Sequence, residues 1–193
     1  MSSSNDLYSG LFRAFLTEEA LDRAGRVKSS AFEADLAELE QLIGLAALDD
    51  VLVSNAKNMS VVYTAIAAFE NSVRELITST LLENVGAAWW EDCVSKKIRD
   101  AADSRRKEEE KVKWHTQRGS DPIQYTMLPN LLNIIRQNGD YFEDFIHDID
   151  WAASIFDTVE KSRNVIMHSG TLSKRDIARL GSLFRDWNTQ VAT

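Results

Sequence analysis

Apolar residues in this chain fall mostly at three- and four-residue steps, the spacing that gathers them on one side of a helix. The pattern is clear from "AFEADLAELEQLIGLAALDDVL" onward and weaker in "LYSGLFRAFLTEEALDRAG", which predicts an N-terminal helical arm over residues 1–55. A bundle over 56–193 is expected to follow. "NMSVVYTAIAAFENSVRELITSTLLENVG" is the most apolar stretch, and Asn84 and Gly86 at its end suit a left-handed cap. It predicts a central core helix.

"AAWWEDCVSKKIRDAADSRRKEEEKVKW" reads as helix whose second half is a solvated face of alternating charge. "HTQRGSDPIQY" is a loop. "TMLPNLLNIIRQNG" predicts a short helix started by Thr126, with Pro129 in its first turn. "FEDFIHDIDWAASIFDTVEKSRNVIMHSG" predicts a helix ended by Gly170, with a break near Asp148 to Asp150. "SKRDIARLGSLFRDWN" opens on Ser173 and Asp176, a capping-box spacing with Asp in place of Glu or Gln. No β-alternation appears, so the expected class is all-α, an antiparallel helical bundle.

Composition agrees: of 193 residues 44% are hydrophobic and 27% charged, with two prolines and eight glycines to interrupt helices. The single Cys93 excludes an internal disulfide, and no Cys/His spacing suggests zinc. No secretion signal or membrane span is expected, which points to the cytoplasm. The net charge of −8 disfavours indiscriminate nucleic-acid binding. The sign is uneven, however. Lys161, Arg163, Lys174, Arg175, Arg179 and Arg185 cluster late in the chain against Asp176 alone.

Within that basic region, "KSRNVIMHSG" holds Arg163, Asn164 and His168. At about 100° per residue these three span an arc of about 140°. They are expected to face outward, with Ile155, Val159, Val165 and Ile166 toward the core. A histidine in the last helical turn feels the negative end of the backbone dipole, which keeps it titratable near neutrality. A neighbouring guanidinium can hold a phosphate. The simpler account is that an outward arc must be polar, and a lone R-x-x-x-x-H arises easily by chance. Such groups could cleave RNA without metal, but two proton carriers are wanted and one motif supplies one. A two-fold dimer would supply the second.

"RNVIMH" resembles the R-x(4-6)-H signature of HEPN domains, and "AFENSVRELI", with Glu70 and Arg74, resembles their earlier core helix. "WWEDCVSKKIRDAA", "YTMLPNLLNIIRQNGDYFEDF" and "RNVIMHSGTLSKRDIARL" are most similar to the Swt-type subgroup, over residues 60–190. The resemblance implies a metal-independent endoribonuclease without cofactor, acting as a homodimer in RNA processing, toxin or antiviral defence roles. It implies an RNA substrate and an antitoxin or defence-system partner protein. By position Arg163 and His168 would be the catalytic pair, Asn164 would orient them and Glu70 would support the arginine. Lys161, Lys174 and Arg175 are candidate RNA contacts. Gly170 stands where toxins silenced by nucleotide transfer often carry a tyrosine, so the resemblance stops short of that regulation.

The alternative is a non-catalytic HEPN-like module that binds a protein or nucleotide partner. Trp89 and Trp90 are read as core and interface anchors rather than base-stacking residues. His115 is read as a solvated loop residue, and His147 among aspartates as no metal ligand.

Overall fold

The computed structural model describes residues 35–191, and the weak helical pattern of residues 1–28 lies outside them. Every regular element among the described residues is helical, so the chain is all-α as its periodicity predicts. It divides into two compact units that meet in sequence at Asp49 and Asp50.

The described part of the first unit holds α1 (Leu36–Ile43), capped by Asp35, whose carboxylate accepts from Ala37 N at 3.4 Å. The helix stops where Gly44 takes φ +71°, a left-handed conformation that glycine adopts at little cost. A single 3-10 turn, Leu45–Ala47, follows.

The second unit opens on α2 (Asp50–Val85), 36 residues long and starting earlier than the apolar stretch alone suggests. Its buried residues Met59, Val62, Ile66, Phe69, Val73, Ile77 and Leu81 recur every three or four positions, one continuous stripe. Each fully buried aliphatic contributes about 1.5 to 3 kcal/mol, so this stripe organises the unit. Gly86 ends the helix at φ +92°, and its N–H donates to the Leu82 carbonyl at 3.0 Å.

Then come α3 (Trp89–Cys93) and α4 (Lys96–Glu110), two helices where the pattern suggests one, separated by extended backbone at Val94 and Ser95. Trp89 is buried and its ring stands edge-on to Trp90, with centroids 5.5 Å apart. A 3-10 turn, Pro122–Tyr125, interrupts the predicted loop. The next helix, α5 (Leu128–Gln137), is capped by Met127 rather than Thr126. Thr126 instead ends the preceding 3-10 turn, its hydroxyl donating to the Ile123 carbonyl at 2.6 Å.

After a short turn at Gly139–Tyr141, the break expected near Asp148 is a helix start. The Asp148 carboxylate accepts from Asp150 N and Trp151 N and opens α6 (Ile149–Met167). The last helix, α7 (Lys174–Val191), starts at Ser173, whose Oγ accepts from Asp176 N–H at 3.2 Å; the return bond to the Asp176 carboxylate, at 2.6 Å, comes from the Ser173 hydroxyl and not from its backbone N–H as in a capping box. The helices α2, α5, α6 and α7 share one core. Its aromatic knot joins Phe69 to Phe156 and Trp187, edge-on at 5.6 and 5.4 Å, while Trp151 stacks on Trp187 at 6.0 Å. No helix among the described residues is long and apolar enough to cross a membrane.

Candidate functional site

Arg163 is not on the outward face. On the wheel of α6 the buried residues Ala152, Phe156 and Val159 lie within about 40° of it, so Arg163 continues the buried stripe at its C-terminal end. Val165 lies on the far side and is 40% exposed, contrary to its expected place in the core. Asn164 and His168 are the exposed members of the trio. Ala152 and Phe156 extend the buried arc beyond Ile155 and Val159 to the position of Arg163.

A half-buried guanidinium needs a counter-charge, and α2 supplies one. Arg163 Nε lies 3.5 Å from Glu70 Oε2, with the glutamate side chain only 13% exposed. The other oxygen of Glu70 takes a hydrogen bond from Arg74 Nη2 at 2.5 Å. Arg74 also donates to Asn71 Oδ1 and to the carbonyls of Ile123 and Thr126, which ties α2 to the 3-10 turn. One carboxylate thus orders two arginines from two helices.

These groups line a cleft of about 390 Å³ between α2, α4, the turn before α5, and α6. Two more arginines reach it. Arg105 of α4 donates from Nη1 to the Tyr125 carbonyl at 2.8 Å. Arg118 is held by Glu109, Nε to Oε1 at 2.6 Å, with its guanidinium carbon 5.8 Å from the centre of the Tyr125 ring. Tyr125 is fully buried and its hydroxyl donates to the Gly119 carbonyl at 3.0 Å, so one turn fixes both arginines.

Glu160, one turn before Arg163, is the second carboxyl of the cleft. Burial pushes its pKa up; the Arg163 charge pulls the other way, and Asp157 and Glu70 add to the rise. Arg105, Arg118 and Glu160 escaped the sequence reading. Glu160 had a signal, its helical spacing of three from Arg163. The two arginines had none, because a charge run and a loop conceal residues that only a distant turn brings together.

His168 sits apart. It is the C-terminal cap of α6, exposed, and outside the lining of the cleft. Its backbone N–H donates to the Asn164 carbonyl at 3.2 Å, and no side-chain hydrogen bond joins the Asn164 and His168 groups among the described residues. The left-handed residue after it is Ser169, at φ +62°, not Gly170. Tyr63 connects the regions, since it lines both the arginine cleft and an apolar hollow beside residues 166–171.

The candidate RNA contacts lie elsewhere on the surface. Lys161 pairs with Asp157 at 2.6 Å, Lys174 and Arg175 are exposed, and none of the three lines the cleft. Trp114 is 85% exposed, with its ring edge-on to His115. Comparisons with protein-family models, with curated proteins and with solved structures find no match for this chain.

Proposed function

We propose that this chain is a metal-independent endoribonuclease of HEPN type, working as a homodimer in a toxin or antiviral defence role. The observation that carries the reading is Arg163: a guanidinium on a core-facing arc, oriented by Glu70 at the edge of an arginine-lined cleft. Preorganised cations of this kind stabilise the charge that develops on a phosphate under attack.

In the proposed reaction a base takes the 2′-hydroxyl proton and the 2′-oxygen attacks the adjacent phosphorus. The bond to the 5′-oxygen breaks, and an acid protonates that leaving oxygen. His168 of one protomer serves as base and its symmetric copy as acid, with Arg163 on the phosphate and Asn164 positioning the pair. The exposed ring of His168 at the helix end is available for such pairing.

The test is incubation of purified protein with single-stranded and structured RNA in EDTA, beside His168→Ala and Arg163→Ala. Each substitution is expected to slow cleavage at least about a hundredfold. Undiminished cleavage in both variants, or loss of cleavage with chelator, removes the mechanism. One observation favours a second reading, a binding module without catalysis: the His168 side chain does not line the cleft that holds Arg163. Tight RNA binding by a protein that cuts none of the RNAs would support it.

A further inference from the structure

The cleft departs from the charge of the whole chain. Four arginines (74, 105, 118 and 163) line it with two carboxyls (70 and 160), and Glu109 behind Arg118 makes a third, a balance of four minus three, while the chain carries −8. Glu70 is shared between Arg74 and Arg163, so its single charge faces two guanidinium groups.

The arginines are not equivalent. Arg74 spends its donors on Glu70, Asn71 and two carbonyls, so it is a structural tie. Arg105 donates a single hydrogen bond, and Arg118 is pinned through Nε, which leaves the outer N–H groups of both for a ligand. Both are thereby pre-oriented, which lowers the entropy lost when they engage an anion. Tyr63 adds an aromatic ring, 39% exposed, on the α2 wall.

We propose that this cleft is the strand-binding subsite of the enzyme, where Arg105 and Arg118 join Arg163 in holding the phosphodiester backbone of single-stranded RNA and Tyr63 stacks on a base. Pre-oriented arginines beside an aromatic face fit a flexible strand, which can lower a phosphate into the cleft and turn a base onto the ring. A duplex keeps its bases paired and offers no such base. The identity of the strand rests on the endoribonuclease reading; the binding of phosphate by Arg105 and Arg118 does not.

The test uses the full chain and a fluorescein-labelled decamer of 2′-O-methyl RNA, which lacks the attacking hydroxyl and stays intact whatever the activity. Fluorescence anisotropy in EDTA is recorded over a series of salt concentrations for the wild type, Arg105→Gln and Arg118→Gln. Lys111→Gln serves as control, an exposed lysine paired with Glu108 and outside the cleft. Each cleft variant is expected to bind at least about fivefold more weakly, with the slope of log affinity against log salt reduced by about 0.7. The control is expected to bind as the wild type does.

Thermal melting checks the fold of each variant. Should Arg105→Gln melt early, Arg118, in an exposed loop, carries the test alone. Wild-type affinity in both variants overturns the subsite, as does equal binding of a duplex of the same sequence, or binding of a poly-glutamate peptide in place of RNA. Cleavage of ordinary RNA by the wild type separates the two claims. Intact cleavage with no effect of Arg105 or Arg118 defeats the subsite only. Cleft-dependent binding without cleavage defeats the catalytic reading only.

Discussion

Glu70 holds two guanidinium groups at once, and Glu160 stands in the same cleft within the field of Arg163. Burial raises the Glu160 pKa above its ordinary value of 4.5, so the proton is held more readily in the folded chain than in the unfolded one. For a carboxyl raised in this way, the stabilising preference is fully present below the ordinary value and is lost as pH rises through the folded one. Glu160→Gln, neutral at every pH, is therefore expected to unfold at higher denaturant concentration than the wild type at neutral pH. The gap should close as pH falls below 4.5. Urea unfolding at pH 7 and pH 4 reads this directly, and a wild type more stable than the variant at pH 7 would show that attraction to Arg163 outweighs burial. At this scale the sequence was partly legible. It singled out Glu70 and Arg163, whose contact the structure contains, but it placed Arg163 on the wrong side of its helix. Ala152 and Phe156 carry the buried arc round to Arg163, and neither is among the β-branched residues whose spacing marks the opposite edge of that arc.

The helices were the most legible level, because a period of about 3.6 residues and the capping residues are properties of adjacent sequence. The core helix, the Gly86 terminator and the Ser173–Asp176 start all appear. What differed was a boundary: Thr126 closes the preceding 3-10 turn, so the α5 start falls one residue later, at Met127. The end of α6 is a subtler case. Gly170 was expected for its left-handed freedom, yet Ser169 takes that conformation at φ +62°. Gly170 is needed for closeness instead. Its N–H donates to the Val165 carbonyl at 2.8 Å, and an added Cβ would meet that same oxygen at 2.8 Å and Val165 Cγ1 at 2.7 Å. The methyl of a side chain can swing aside, but a backbone oxygen inside a helix cannot. Gly170→Ala is expected to destabilise the protein by more than about 1 kcal/mol, seen as a lower midpoint at unchanged slope in denaturant unfolding. An unchanged midpoint would mean that the α6 terminus relaxes freely. Because His168 caps this helix, the same substitution should depress cleavage on the proposed mechanism even where the protein remains folded.

The whole chain opposes the chemistry proposed for it: 30 acidic against 22 basic side chains repel a polyanion at long range. The arginine cleft runs against that sign, and the sequence could not reveal it, since α4, the loop before the 3-10 turn and α6 meet through tertiary packing. The proposed dimer raises a second question of scale, which surface pairs the two His168 residues. Met167, the last residue of α6 and next to His168, is 54% exposed, an apolar side chain that a symmetric contact would bury. On the dimeric reading, specific activity should fall steeply when the protein is diluted below the dissociation constant of the dimer, as followed by sedimentation beside cleavage assays. Met167→Glu places like charges opposite each other in such a contact. It is expected to weaken association at least about tenfold and to lower activity in proportion, while melting as the wild type does. Met167 lines no part of the arginine cleft, so binding of the non-cleavable strand should survive. A variant that stays monomeric at every concentration yet cleaves at the wild-type rate would show that each chain holds a complete site, and the second proton carrier would then have to be sought in the cleft, where Glu160 stands beside Arg163.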